Sequence, residues 1–263
     1  MFVKQITVSS AINKITSKDD LFCGDYTIDP YQNCDFGCIY CDSSYDDTVF
    51  VKTNVVEILE KELKKIPKGR IIVGSVHDPY QKSEKEYQLT RRILETIQKH
   101  KFSCHVLTKS DLILRDVDLL KKIEDSYVTI SLTSINEKTS SFFEKNVPSP
   151  ERRFKIVKEL NKQKICSGIA IMPLLPFITE IELKQFFEFA KKHNACYVLQ
   201  KHLELKGNQK NIFFNSLRKS FPEHIEEYEK IYKDSYQPDP EYIEKMNDLI
   251  SNLSSEYSTK TRI

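Results

Sequence analysis

The amino-acid sequence predicts an α/β fold, an open partial (β/α)6 TIM-like barrel followed by a C-terminal helical extension. Two observations support this prediction. Across the first 205 residues, short apolar runs typical of strands alternate with amphipathic patterns typical of helices. After Leu205 the alternation stops, and helical segments rich in lysine and aromatic residues follow. Strands that alternate with helices form a parallel sheet with the helices outside, and each crossover is right-handed.

Six segments are predicted as the strands of the barrel, because each is apolar and rich in residues that favour strands. They are DYTIDPY (25–31), RIIVGSV (70–76), FSCHVLTK (102–109), SYVTISLT (126–133), ICSGIAIMPLLP (165–176) and ACYVLQKHLEL (195–205). Five helical patterns accompany them, with apolar residues repeating every three or four positions. They are residues 54–66, 86–100, 116–125, 149–163 and 179–193. Asn54, Ser149 with Pro150, and Thr179 are residue types that suit helix starts.

The C-terminal region is predicted as three helical segments, residues 208–221, 222–236 and 239–257, separated by prolines. We therefore divide the chain into a barrel core, residues 1–205, and a helical extension packed on it, residues 206–263. The aromatic residues of the extension allow two interpretations. They either close the open side of the barrel, or stack on nucleic-acid bases beside phosphate-binding lysines. The helical spacing of these aromatic residues favours the first interpretation, in which they close the barrel. The aromatic residues concerned are Phe213, Phe214, Tyr228, Tyr232 and Tyr236.

Composition narrows the function classes. The chain has 263 residues, 40% of them hydrophobic, and a formal charge of +2 that shows no excess of the kind double-stranded DNA binding usually needs. No apolar run approaches the roughly 20 residues of a membrane helix. The first 20 residues also lack the blocks of a signal peptide. These features predict a cytoplasmic protein without a membrane partner, whose seven cysteines are reduced thiols, metal ligands or catalysts.

Three of the seven cysteines, Cys34, Cys38 and Cys41, lie within eight residues directly after the first predicted strand. In a parallel β/α fold, chemistry collects in the loops at the C-terminal ends of the strands. Three thiolates on one short loop can hold three corners of an iron–sulfur cluster and leave the fourth iron open for a ligand. A structural zinc ion needs four protein ligands, and zinc stays open as an alternative because Cys23 or a distant histidine could supply the fourth.

The string CDFGCIYC resembles the Cys-x3-Cys-x-aromatic-x-Cys signature of the radical S-adenosylmethionine (radical SAM) superfamily, with Tyr40 in the aromatic position. The strings DYTIDPYQNCDFGCIYC, GSVHDPYQKSE, TKSDLILRDVDLL and NVPSPERR resemble the subgroup related to spore photoproduct lyase. This resemblance implies a radical SAM barrel core, with a [4Fe-4S] cluster on Cys34, Cys38 and Cys41. It also implies that S-adenosylmethionine (SAM) chelates the fourth iron. The activity implied is reductive cleavage of SAM to methionine and a 5′-deoxyadenosyl radical.

The resemblance also suggests roles for residues at the strand ends. Lys109 is expected to pair with the SAM carboxylate, and Ser131 and Thr133 to bond its ribose. His77 and Asp78 occupy the region that contacts the methionine amino group in radical SAM enzymes. Each of these residues also has an ordinary structural interpretation, as a loop or strand polar residue. Tyr80 and Glu84, in the same string as Asp78, are expected to face the substrate as catalytic residues.

One departure from the lyase concerns the hydrogen-atom donor. Spore photoproduct lyase uses a cysteine in the loop after strand two, and the corresponding string GSVHDPYQ has none. Cys23, Cys104, Cys166 and Cys196 are predicted as buried free thiols near the opposite end of the barrel. The substrate is therefore open between nucleic acid, peptide and small molecule, with a reductant such as flavodoxin or ferredoxin as a further partner. The alternatives are a nucleic-acid lesion lyase or modification enzyme, and a non-catalytic zinc or iron–sulfur module.

Overall fold

The computed structural model describes residues 1–42 and 47–263. The strands of this part of the chain are β1 (Phe2–Ile6), β2 (Asn13–Lys14), β3 (Tyr26–Ile28), β4 (Tyr31–Gln32), β5 (Thr48–Lys52), β6 (Arg70–Val73), β7 (Ser103–Thr108), β8 (Ser126–Leu132), β9 (Cys166–Leu174) and β10 (Val198–His202). Its α-helices are α1 (Val55–Glu62), α2 (Glu84–Tyr87), α3 (Leu89–Lys99), α4 (Val117–Leu120), α5 (Glu137–Phe143), α6 (Pro150–Lys162), α7 (Leu183–Lys192), α8 (Gln209–Ser220), α9 (Ile225–Tyr232) and α10 (Pro240–Tyr257).

Within the described residues, seven strands form one sheet in the order β10-β9-β8-β7-β6-β3-β2. In this sheet β3, β6, β7, β8, β9 and β10 run parallel to one another. The short edge strand β2 pairs antiparallel with β3. These parallel strands are the predicted ones, and they lie side by side in chain order. The predicted α/β fold with a partial barrel is therefore confirmed.

The sheet is buried because its strands are apolar on both faces, as expected for a parallel sheet covered by helices. In β8 every residue from Val128 to Leu132 is buried. The helices pack against it through one apolar stripe, as in α3, where Ile93, Leu94 and Ile97 are fully buried. At the start of α6, Ser149 accepts a hydrogen bond from the Arg152 amide and Pro150 occupies the first turn, as predicted.

The first predicted strand is shorter than expected. Residues 25–31 divide into β3 and β4, because Pro30 has no amide hydrogen for a continuous ladder. The strand β4 pairs with β5, and β5 pairs with β1, in a separate three-stranded sheet that the sequence pattern did not predict. Asn54 precedes α1 but does not cap it, since its side chain bonds the backbone of Val8 instead.

The C-terminal extension packs through its aromatic residues. Phe213, Tyr228 and Tyr232 are fully buried, and the rings of Tyr228 and Tyr232 stack at 5.8 Å. Phe213 also stacks on Phe143 of the barrel at 5.9 Å. These contacts favour the interpretation in which the aromatics close the core, because a buried ring is not available to a nucleic-acid base. The division at residue 205 stays a prediction.

Candidate active site

The three clustered cysteines lie on the loop that follows β4. Cys34 and Cys38 are buried, Cys41 is half-buried, and all three line a cavity of about 310 Å³. Burial raises the pKa of the Cys34 thiol, with Asp78 adding to the effect. Burial also raises the pKa of Cys38, to about 12, although Lys109 acts in the opposite direction. Metal binding at this loop must therefore displace protons from the thiols.

The cysteine loop is held by the segment that connects α5 to α6. The Ile39 amide donates to the Phe143 carbonyl at 2.9 Å, and the Asn146 amide donates to the Phe36 carbonyl at 3.0 Å. The Asn146 side chain adds a bond of 2.8 Å to the carbonyl of Asp35. Gly37 turns the loop with a φ of +66°, a left-handed conformation that costs glycine little. These contacts fix the loop before any ligand binds.

The cavity lies at the C-terminal ends of the barrel strands, where a site was expected. Each parallel strand or the loop that follows it contributes to the wall, and the extension adds Lys206 and Gln209. A larger cavity of about 900 Å³ lies at the other end of the barrel, lined by Cys23, Phe102 and mostly charged side chains. The smaller cavity is the candidate site because it holds the three thiols together with the buried ionic groups described next.

A buried cluster of four charged or phenolic side chains lies beside Cys38, and two of its members, Tyr40 and Lys109, line the cavity. Glu144, which is 1% exposed, lies 2.7 Å from Nη1 of the fully buried Arg153 and 3.8 Å from Nζ of Lys109. The Tyr40 hydroxyl donates to Glu144. Burial lowers the pKa of Lys109, but Glu144, Cys38 and Asp78 together raise it by more, so the amine is held as a cation.

Lys109 is oriented by a second bond. Its Nζ donates to Oγ of Ser131 at 2.9 Å, and both residues line the cavity. The ammonium also lies 5.9 Å from the centre of the Tyr40 ring. A fixed cation at the cavity wall is suited to a carboxylate ligand, because a charge-assisted bond in a buried place is among the stronger hydrogen bonds.

The loop after β6 presents Asp78 and His77 to the cavity. Asp78 accepts bonds from Oγ1 of Thr108 at 2.7 Å and from the Lys109 amide at 2.8 Å. Burial raises the pKa of Asp78, although these bonds oppose the shift. Burial also lowers the pKa of His77, so this imidazole is neutral near pH 7. Asp29, at the end of β3, holds the loop by accepting from Ser75 and from two backbone amides.

Gly74 begins this loop for a steric reason. Its φ is +85°, and a Cβ at this position would lie 2.7 Å from the carbonyl oxygen of Leu107 and 2.4 Å from the Pro79 ring. Only glycine allows β6 to turn here without displacing its neighbours. The turn directs the following residues along the cavity wall.

Three predicted site residues do not line the cavity, contrary to our expectation. Thr133 is fully buried and donates to the carbonyl of Pro173 on the neighbouring strand. Tyr80 is 2% exposed and donates to Asp116 at 3.0 Å. Glu84 is fully buried, where it accepts from the Tyr31 hydroxyl at 2.5 Å and pairs with Arg115 at 2.6 Å. The short helix α2 turns Glu84 inward, so Tyr80 and Glu84 belong to a buried network that supports the loop.

Several residues that line the cavity, or that pair with residues lining it, were not predicted. Glu144 and Arg153 are distant in sequence from the cysteines, although Arg153 lies within the string NVPSPERR. Others line the cavity from β10, from the segment that follows it and from the extension, where no motif marks them. They are Lys201, His202, Glu204, Lys206 and Gln209. The sequence offered one signal for these residues: polar side chains follow the last predicted strand, at the end of the barrel where sites form.

The other cysteines do not belong to the site. Cys104 is fully buried on β7, as predicted, whereas Cys166 and Cys196 are half-buried. Cys23 is exposed, contrary to the prediction of a buried thiol, because the short segment before β3 lies at the surface. None of these four cysteines lines the cavity of the described site.

Three thiols on one loop can serve either a single metal ion or an iron–sulfur cluster. Among residues 1–42 and 47–263, no three His, Cys, Asp or Glu side chains are grouped so that they could hold a metal ion. Thiolates on one zinc ion lie about 3.8 Å apart, since each Zn–S bond is about 2.3 Å. In an iron–sulfur cluster each thiolate binds a different iron, which requires a wider spacing.

Comparison with known proteins places these residues in a family. The model of the radical SAM superfamily matches residues 28–190. An uncharacterised protein of Methanocaldococcus jannaschii is 30% identical over 211 residues, which cover 76% of this chain and 78% of that protein. An uncharacterised protein of Mycobacterium tuberculosis is 25% identical over 274 residues, covering 96% of this chain and 80% of that protein.

Solved structures show the same fold. Spore photoproduct lyase complexed with dinucleoside spore photoproduct superposes with a TM-score of 0.76 at 14% identity, over 97% of this chain and 79% of that one. Streptococcus suis SuiB bound to S-adenosylmethionine gives a TM-score of 0.57 at 17% identity, over 78% of this chain and 47% of that one. No helix of the described residues is long and apolar enough to cross a membrane. The chain therefore belongs to the radical SAM superfamily, whose enzymes use a [4Fe-4S] cluster and S-adenosylmethionine.

Proposed function

We propose that Cys34, Cys38 and Cys41 hold the [4Fe-4S] cluster of this radical SAM enzyme and that SAM binds in the cavity beside them. The observation that carries this proposal is the placement of three thiols, a buried cation and a fixed carboxylate on one cavity wall. The substrate is a further molecule that enters from the side of the C-terminal extension. A reductant such as flavodoxin or ferredoxin and a cytoplasmic location are parts of the same proposal.

Once bound, the cluster and SAM supply reductive cleavage of the sulfonium to methionine and a 5′-deoxyadenosyl radical. The chain supplies binding and orientation. Lys109 gives a cation for the SAM carboxylate, and Glu144 with Ser131 fixes its position. Asp78 is a fixed acceptor for the SAM amino group, because three protein donors already hold its carboxylate.

Apolar side chains of the cavity wall also shield the reacting atoms. Phe36, Met172 and Pro173 contribute apolar surface to it, and Phe36 is 5% exposed. A radical intermediate needs such shielding, since an enclosed site prevents side reactions. The reaction class stays open, because the string GSVHDPYQ has no cysteine to serve as the lyase's hydrogen-atom donor.

The experiment that tests this function is anaerobic reconstitution with iron and sulfide, then addition of dithionite and SAM. We expect 5′-deoxyadenosine, measured by chromatography, in amounts that depend on both the cluster and the reductant. A protein that binds no iron–sulfur cluster and leaves SAM intact would contradict the proposal.

Lys109→Met should weaken SAM binding by about 10- to 100-fold, because a buried hydrogen bond to a charged group is worth about 1.5–3 kcal/mol. The iron and sulfide content should stay unchanged, since Lys109 is not a proposed cluster ligand. Titration calorimetry on the reconstituted protein measures the affinity. Lys138→Met, an exposed lysine on α5, is the matched control and should bind SAM normally. Equal affinity in both variants would remove Lys109 from the site.

Tyr80→Phe should leave SAM affinity and 5′-deoxyadenosine formation within about 2-fold of the parent protein. The variant loses only the bond from the Tyr80 hydroxyl to Asp116, so we expect a stability loss of about 1 kcal/mol. Chemical denaturation gives the stability, and single-turnover assays give the cleavage rate. A large fall in the cleavage rate at normal SAM affinity would return Tyr80 to the catalytic residues.

A further inference from the structure

A second groove, of about 450 Å³, borders the cysteine loop. Among the described residues that line the groove, Phe36 alone also lines the cavity. Phe36 stands two residues from Cys34 and two from Cys38. The far wall of the groove is residues 146–148, which the Asn146 bonds attach to the cysteine loop. This groove is therefore a place where the surface comes close to the thiols.

The rim of the groove carries lysines whose charge is not neutralised by pairing. Lys82 and Lys85 line it and are exposed. Lys145 is also exposed, and its Cβ would lie 3.8 Å from a Cβ at Gly37 of the cysteine loop. Across the described residues, none of these three lysines has an acidic partner within 4.0 Å.

The acidic groups near the three lysines do not form ion pairs with them. Asp111 lines the groove but is already paired with Arg152 at 3.3 Å. Asp35 is 8% exposed and accepts from the Lys82 amide, so it presents little charge to solvent. Glu86 of α2 is exposed and offsets part of the lysine charge without pairing with any of the three lysines. Lys82 and Lys85 on the groove, together with Lys145 beside Gly37, form a small positive surface, which we name the loop face.

We infer that the loop face, defined by Phe36, Lys82, Lys85 and Lys145, docks a small acidic electron-carrier protein of the flavodoxin or ferredoxin class. The inference rests on the proposed function, which requires one electron for the group that the cysteines hold. The docked carrier is oxidised by one electron, and that group is reduced by it. A carrier on this face contacts Phe36, two residues from Cys34 and from Cys38, and it leaves the cavity free for SAM and substrate.

The size and charge of the loop face suit such a partner. Electron-transfer encounters are among the smallest specific interfaces, with less than about 1,200 Å² buried in total. Complementary charge mainly accelerates association and depends on ionic strength. A nucleic acid is also attracted to lysines, but a bound strand needs a longer positive track than three residues, and the aromatic rings of the extension that could stack on its bases are mostly buried.

The test compares the parent protein with the variant Lys82→Glu/Lys85→Glu/Lys145→Glu. The matched control is Lys101→Glu/Lys122→Glu/Lys162→Glu, which makes the same charge change with exposed lysines near the opposite end of the barrel. Biolayer interferometry measures binding of a purified flavodoxin, and separately of a ferredoxin, to each reconstituted protein at low and high salt. We expect the loop-face variant to bind the carrier at least about 10-fold more weakly at low salt, and the control to bind as the parent does.

A second readout separates docking from the chemistry. With dithionite as reductant, the loop-face variant should form 5′-deoxyadenosine as fast as the parent, whereas with the reduced carrier it should be slower. If dithionite fails in the parent as well, the proposed function is wrong, and the binding data still judge the loop face. Absence of carrier binding to the parent, an equal loss in the control, or binding of a DNA duplex instead of the carrier would overturn the inference.

Discussion

Cys38→Ala should abolish the site-differentiated cluster and reduce 5′-deoxyadenosine formation to background, while the barrel stays folded. Cys38 is buried beside Glu144 and Lys109, so no exposed side chain can replace the missing thiolate. The same result is expected for Cys34→Ala and Cys41→Ala, because a cluster with only two protein thiolates is poorly held. Iron and sulfide analysis, electron paramagnetic resonance and circular dichroism together measure the cluster and the fold.

Cys104→Ala is the matched control for these variants. It removes a fully buried thiol from β7 at the other end of the barrel, so the cluster content should equal that of the parent protein. If the three loop variants retained full iron, sulfide and SAM cleavage, the assignment of the cluster to this loop would be wrong. Loss of the cluster in Cys104→Ala as well would show that packing and not ligation is being measured.

Arg153→Leu should lower the free energy of unfolding by about 3–5 kcal/mol, because it leaves the Glu144 carboxylate in the core without its strongest partner. Arg153 is fully buried and also donates to the Ser131 carbonyl at 2.9 Å and to Oγ of Ser140 at 2.8 Å. Urea denaturation of the cluster-free protein measures the loss. The double variant Arg153→Leu/Glu144→Gln should recover part of it, since the unpaired charge is removed.

The neighbouring arginine offers a control one residue away. Arg152 lies at the surface and pairs with Asp111 and Glu159, so Arg152→Leu should cost no more than about 1 kcal/mol. A loss below about 1 kcal/mol in Arg153→Leu, or no recovery in the double variant, would contradict the role assigned to the buried cluster of Arg153 and Glu144.

The sequence predicted the parts of the site that lie on one continuous segment. The cysteine spacing and the apolar runs of β6 to β10 depend on neighbouring residues, so they can be read from the chain. Glu144 could not be predicted in this way. It reaches Tyr40 across 104 positions, through a segment between two helices that has no motif of its own.

The absence of Tyr80 and Glu84 from the cavity lining has one physical cause. Tyr80 and Glu84 follow Asp78 closely in the chain, and we expected Asp78 to contact SAM and the other two residues to face the substrate. The structure separates them because Arg115 and Asp116 supply buried partners from a different loop. Proximity in sequence is therefore a poor guide to which side chains share a cavity once a charged partner from elsewhere competes for them. Similarly, the division of residues 25–31 depended on Pro30, whose effect on pairing becomes clear only with the partner strand β5 in place.

The cavity wall described above has two sources, and this has a consequence for variation among related enzymes. The thiols, Lys109 and Ser131 belong to the barrel, whereas Lys206 and Gln209 come from the extension. Insertions, deletions or exchanges in α8 to α10 can therefore alter which molecule is admitted, without disturbing the groups that we assign to the cofactors. In such an arrangement, one chemistry can be redirected to new substrates by recombining only the part of the gene that encodes residues 206–263.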